Sequence, residues 1–145
     1  MNGKRIVVLV AALWAGMAWF SQAGAMEDPT TKAGFYPPEY LKMKNPVPLN
    51  IKTLREGRKI YAGHCEVCHG PHGDGQGDAA LIAKYDPMPR NFTDSELMAK
   101  KTDGMLFYSV SRGVHGTQMI PREVILSEKQ RWSVIWFVRT FAKPE

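Results

Sequence analysis

Both cysteines of the chain fall in one pentapeptide, Cys65-Glu66-Val67-Cys68-His69. Four kinds of chemistry use thiols at this spacing. A thioredoxin-like redox pair needs a strand ahead of it and an α/β domain around it. A structural zinc site needs four soft ligands, and Cys65, Cys68 and His69 have no obvious second pair to join them. A plain disulfide leaves His69 without a role. The fourth use is covalent attachment of haem, for which C-x-x-C-H is the signature. Two thiols three apart on a turn of helix add to the two vinyl groups on one porphyrin edge. The next residue, His69, then lies under the iron and supplies the proximal imidazole.

Iron held by one histidine has an open face. A permanent electron carrier closes that face, usually with a methionine sulfur, which favours Fe(II) and raises the potential. The chain has eight methionines. Met1 and Met17 fall in an N-terminal apolar segment, and Met26 and Met43 lie upstream in a proline-rich stretch. Met98 and Met105 sit in expected helices among apolar neighbours, where packing is their role. Met119 follows Gly113 and Gly116 in a loop between two expected helices, and such a loop can cross over the haem face. Met119 is therefore the expected sixth ligand, with His115 and Met88 as alternatives. His64 and His72 read as surface or loop residues.

The elements that must position these groups are helical. Helix one starts at Asn50 or Thr53, where Thr53 and Glu56 have capping-box spacing, and runs to about Glu66. Gly57 and Tyr61 share one of its faces. The run from Gly70 to Asp78 holds four glycines and cannot be helix. It lacks the strand and lysine of a phosphate-binding loop, and its glycines let the backbone turn close to the haem. A short turn of helix includes Ala79 to Lys84. Thr93 with Glu96 begins another short helix. Thr102-Asp103 opens a longer one over Gly104 to Arg112, which Gly113 ends. Ser127 with Gln130 caps the last helix, which Arg139 and Lys143 finish and Pro144 stops. That helix is apolar nearly all round, yet it is too short to span a bilayer and holds Arg131 and Arg139. One side packs on helix one at Gly57, another covers the haem, and Trp136 is left to touch a partner.

The N-terminus belongs to transport. Lys4 and Arg5 precede an apolar run of 15 residues from Ile6 to Phe20, and Ala23-Gly24-Ala25 follows. This is the layout of a cleavable secretory signal. A spanning anchor would need about 20 apolar residues, so cleavage after Ala25 is expected. Membrane association follows only if the segment is kept. The expected organisation is a signal peptide over 1–25, a proline-rich arm over 26–49 and one domain over 50–145. The arm carries Pro29, Pro37, Pro38, Pro46 and Pro48 and should be extended, wrapping the domain or meeting a partner. The mature chain is expected in a periplasm.

Composition agrees with one small domain. The chain has 145 residues, 44% apolar and 23% charged, with a formal net charge of +5. Removal of the leader leaves 120 residues with 17 cations against 14 anions. No Lys/Arg-rich run of the sort that neutralises phosphates is present, so nucleic acid is excluded as a partner.

From Asn50 to Ala142 the sequence resembles the class I, single-haem cytochromes c. The likeness rests on Gly57 and Tyr61, then Cys65-x-x-Cys68-His69-Gly70 and the glycine-rich loop. It continues through Pro89-Arg90-Asn91-Phe92-Thr93 and Gly116-Thr117-Gln118-Met119, and ends on Leu126-Ser127 leading to Trp132 and Phe137-Val138-Arg139. It implies an all-α cytochrome c fold of three to five helices around one covalent haem c. It also implies that Met119 is the sixth ligand. The family commonly has proline directly after this methionine, whereas here Ile120 intervenes before Pro121. The segment at Arg90 matches the family's haem propionate edge. A planar guanidinium suits a carboxylate, which makes Arg90 the expected propionate partner, with Tyr85 as a second donor.

The function implied is electron carriage rather than enzymatic turnover, between redox-protein donor and acceptor and with no small-molecule substrate. Lys84, Lys100, Lys101 and Arg112 are candidate docking cations. A fixed subunit of a larger redox complex is the alternative. A haem ligand sensor or peroxidase would need an open sixth site, and the four-helix cytochromes carry the motif near the C-terminus, whereas here 76 residues follow it.

Overall fold

The structure is a computed structural model and describes residues 34–142. The expected leader over 1–25, the start of the arm, and Lys143 and Pro144 lie outside the described residues. Within them every regular element is a helix, and there is no strand. The elements are α1 (Pro38–Leu41), α2 (Ile51–His64), α3 (Glu66–His69), α4 (Asp78–Ile82), α5 (Ser95–Ala99), α6 (Asp103–Arg112) and α7 (Glu128–Arg139). Only α2, α6 and α7 reach ten residues. The other four are single turns held by their surroundings, which is why the described residues hold seven helices rather than three to five.

Side-chain caps set most of the boundaries. Asn50 caps α2: its Oδ1 accepts from Thr53 N at 3.0 Å, while Thr53 Oγ1 accepts from Asn50 N at 3.0 Å. Thr53 is thus the inner half of the capping box rather than its cap. The helix stops at His64, short of Glu66, because Cys65 leaves helical geometry (φ −124°, ψ −39°) before α3 begins. Asp94, not Thr93, caps α5, accepting from Leu97 N at 2.9 Å. The Thr93 hydroxyl is engaged with Asn91 Oδ1 at 2.7 Å, and aspartate is the better cap of the two. Thr102 and Ser127 cap α6 and α7 as expected, and Gly113 ends α6 at φ +73°.

The core is the crossing of α2 with α7. A Cβ on Gly57 would fall on the Ser133 carbonyl, so only glycine lets the two backbones approach this closely. Tyr61, Trp132, Val134 and Ile135 are buried around the crossing. On the far side of α7, Trp132 stacks on Phe107 of α6 at 3.9 Å between ring centroids.

The arm wraps this core from residue 34 onward. Asn45 Nδ2 donates to Trp132 O at 2.9 Å and Gly104 N donates to Met43 O at 3.3 Å. Trp136 is half-buried rather than free, because its indole N–H donates to Val47 O at 2.7 Å. Arg139 fastens α7 to the α5–α6 junction through Met98 O, Lys101 O and Asp103 Oδ1. Among the described residues no helix is long and apolar enough to cross a membrane.

Candidate functional site

The break between α2 and α3 presents the cysteine motif. Cys65 N donates to Tyr61 O at 2.8 Å, and His69 N donates back to Cys65 O at 2.8 Å. Both thiols are free and half-buried, whereas His69 is only 8% exposed. The His69 ring is fixed on two sides. It stacks on Phe92 with centroids 4.5 Å apart and planes at 18°, and Nδ1 lies 3.2 Å from Arg90 O. A carbonyl can only accept, so Nδ1 carries the proton and Nε2 keeps its lone pair for a metal.

The glycine loop holds this arrangement through its backbone. Gly75 N donates to His69 O at 2.9 Å, Gly77 N to Cys68 O at 3.1 Å, and Phe92 N to Gly73 O at 2.6 Å. A Cβ on Gly77 would meet the Val67–Cys68 backbone, and one on Gly75 would meet the Pro89 carbonyl. Gly75 also sits at φ +81°, which favours glycine. Below the motif, buried Tyr61 donates its hydroxyl to Gly70 O at 2.6 Å.

Burial governs the titration of these groups. It pushes the Cys65 thiol up to about 11, against the opposing charge of Arg122 and with a further push from Cys68. It holds His69 below its ordinary value of 6.5; the Arg90 carbonyl opposes that shift, while the Arg90 and Arg122 charges add to it. Burial, with the charges of Cys65, Glu66 and Asp74, raises Tyr61 so that its hydroxyl stays a donor.

Met119 sits in the loop between α6 and α7 and is half-buried. The loop closes on itself: Val114 N donates to Met119 O at 3.0 Å, and Met119 N donates to Thr117 Oγ1 at 3.1 Å. Met119 and His115 line a cavity of about 420 Å³ between this loop, α6 and Tyr36 of the arm. Cys65, Cys68 and His69 do not line that cavity. Met88 is 43% exposed beside Pro87 and Pro89.

Arg90 meets the site through its main chain: its side chain is exposed, and its carbonyl is the partner of His69. Tyr85 is bonded through its backbone N–H to Ala80 O. Three of the four candidate docking cations are already engaged, Lys100 with Glu96, Arg112 with Glu123, and Lys101 over the Tyr36 ring. One residue escaped the sequence reading. Arg122 Nη2 donates to His64 O at 3.0 Å, immediately before Cys65. A lone loop arginine carries no signal in the sequence that would separate it from a solvated one.

No group of three or more His, Cys, Asp or Glu among the described residues could hold a bare metal ion. Two free thiols one turn apart, followed by an imidazole oriented through Nδ1, instead fit a metal brought in a macrocycle. A family model described as cytochrome c matches residues 54–142. The chain belongs to the cytochrome c family. Its cofactor is therefore covalent haem c, and its chemistry is electron transfer through that haem.

No curated protein matches this cytochrome c chain. Among solved structures it is similar to the KustC0563 c-type cytochrome, at 29% identity and TM-score 0.52, covering 60% of this chain and 98% of that one. It is also similar to a chain of the Kuenenia stuttgartiensis reducing HAO-like protein complex Kustc0457/Kustc0458. There the identity is 25% and the TM-score 0.55, covering 70% of this chain and only half of that chain.

Proposed function

We propose that this cytochrome c is a soluble carrier between periplasmic redox partners, exported by a leader over residues 1–25. The observation that carries the reading is the tethered imidazole of His69 directly after two accessible thiols. Cys65 and Cys68 form the thioethers, and His69 presents Nε2 to the iron while Arg90 O keeps its Nδ1 proton in place. Met119 would supply a sulfur ligand to the iron, and the Arg90 guanidinium would pair with a propionate. When bound, the haem supplies a one-electron Fe(III)/Fe(II) couple. The protein's part would be to keep His69 and Met119 in place in either state and to exclude water and competing ligands.

A second reading is a fixed subunit of a larger redox complex. It is favoured by the likeness to a chain of a multiprotein complex. Size-exclusion of the haem protein from its native source separates the two: a carrier elutes at the mass of a small monomer, a subunit with its partners. A haem sensor is tested by carbon monoxide. The reduced native protein at neutral pH should bind it slowly or not at all, and rapid binding would remove the carrier reading.

A further inference from the structure

We infer that Arg122 is a positioning residue that clips the Met119 loop to the cysteine motif and holds a fixed positive charge beside the haem site. The inference rests on Met119 being the sixth ligand for its clip and on haem alone for its charge.

Arg122 is three residues beyond Met119 and is bonded at both ends. Its backbone N–H donates to Val110 O on α6 at 3.0 Å, and its carbonyl accepts from Leu126 N at 2.9 Å. Its Nη2 reaches across to His64 O at 3.0 Å. That carbonyl lies in the last turn of α2, where the helix has unpaired acceptors and a partial negative charge. The bond therefore joins the start of the haem-attachment motif to the segment that carries Met119, between residues 58 positions apart. The neighbouring arginines each have a carboxylate contact, Arg112 and Arg131 sharing Glu123. Arg122 has no carboxylate partner among the described residues.

Two consequences follow. A guanidinium stays protonated at all working pH values, so its charge is permanent and disfavours the extra positive charge of Fe(III). It therefore raises the reduction potential, since its Nη2 sits on the carbonyl of the residue next to Cys65. The Nη2 bond to His64 O also keeps the loop from lifting, so a competing ligand displaces the methionine only at higher pH.

The test uses the full-length haem protein with Arg122→Gln and Arg122→Lys. Spectroelectrochemical titration reads the potential, and a pH titration reads loss of the sulfur-to-iron charge-transfer band. Arg122→Gln should lower both the potential and the pH midpoint. Arg122→Lys should hold the potential near the parent value but still lower the midpoint, because the charge is kept while the shorter side chain does not reach His64 O. An unchanged potential in Arg122→Gln, or an unchanged midpoint in Arg122→Lys, overturns the inference. If Arg122→Gln takes up no haem, the midpoint of Arg122→Lys decides. A parent protein without the band would remove Met119 as ligand and with it the clip. The potential of Arg122→Gln would then decide the charge by itself.

Discussion

The Nδ1 of His69 lies 3.2 Å from the backbone carbonyl of Arg90, 21 residues further along the chain. This contact makes the segment from Gly70 to Phe92 part of the haem site, together with Phe92, which stacks on the ring. It fixes the tautomer, and through it the nitrogen that faces the iron.

Burial of the same ring, which outweighs this contact, predicts the pH dependence of stability. Burial holds His69 below its ordinary 6.5 in the folded state. Below about pH 6.5 the unfolded imidazole takes a proton that the folded one refuses. The unfolded state then binds more protons, so stability is complete above pH 6.5 and falls as the pH falls below it. Ligation through Nε2 acts with the same sign. The fall from this one group cannot exceed about 1.4 kcal/mol per pH unit, and it is read as urea midpoints between pH 7.5 and 5.5. A midpoint that is flat or rises on acidification contradicts the buried neutral ring.

Tyr61→Phe isolates one buried hydrogen bond. The hydroxyl to Gly70 O bond is lost while the ring keeps its contacts with Phe137 and Phe141. Gly70 O keeps its bond from Gly73 N at 3.2 Å, so the loss is that of one hydrogen bond, about 0.5–1.5 kcal/mol, in denaturant unfolding. A change within error would mean that water replaces the hydroxyl.

Gly57→Ala tests the helix crossing. The added methyl meets the Ser133 carbonyl, so α2 and α7 must separate, at a cost of about 1–3 kcal/mol typical of overpacking. A thermal scan of the haem protein should show a lower midpoint. A neutral or stabilising effect would mean that the two helices do not cross here as described.

These residues also mark what the sequence could disclose. Gly57, the Ser127–Gln130 cap and the cysteine motif were readable because each works through its own side chain, or lack of one, over a few positions. The residue type of Arg90 points to its guanidinium, whereas the contact of its carbonyl with His69 is a main-chain role that leaves no mark on residue type. Trp136 looked like a free aromatic because its acceptor, Val47 O, is 89 residues away. Arg122 was passed over for the same reason, its partner being set by the packing of a loop on a distant helix end. Asp94 displaced Thr93 as a cap through a competing bond to Asn91, a local contest that spacing alone does not decide.

The central claim is a haem closed by His69 on one face and Met119 on the other. It is tested most directly by the absorption spectrum of the oxidised Met119→Ala protein. Removal of the only sulfur proposed to reach the iron should abolish the sulfur-to-iron charge-transfer band that the parent shows. A band that survives in Met119→Ala would contradict the assignment.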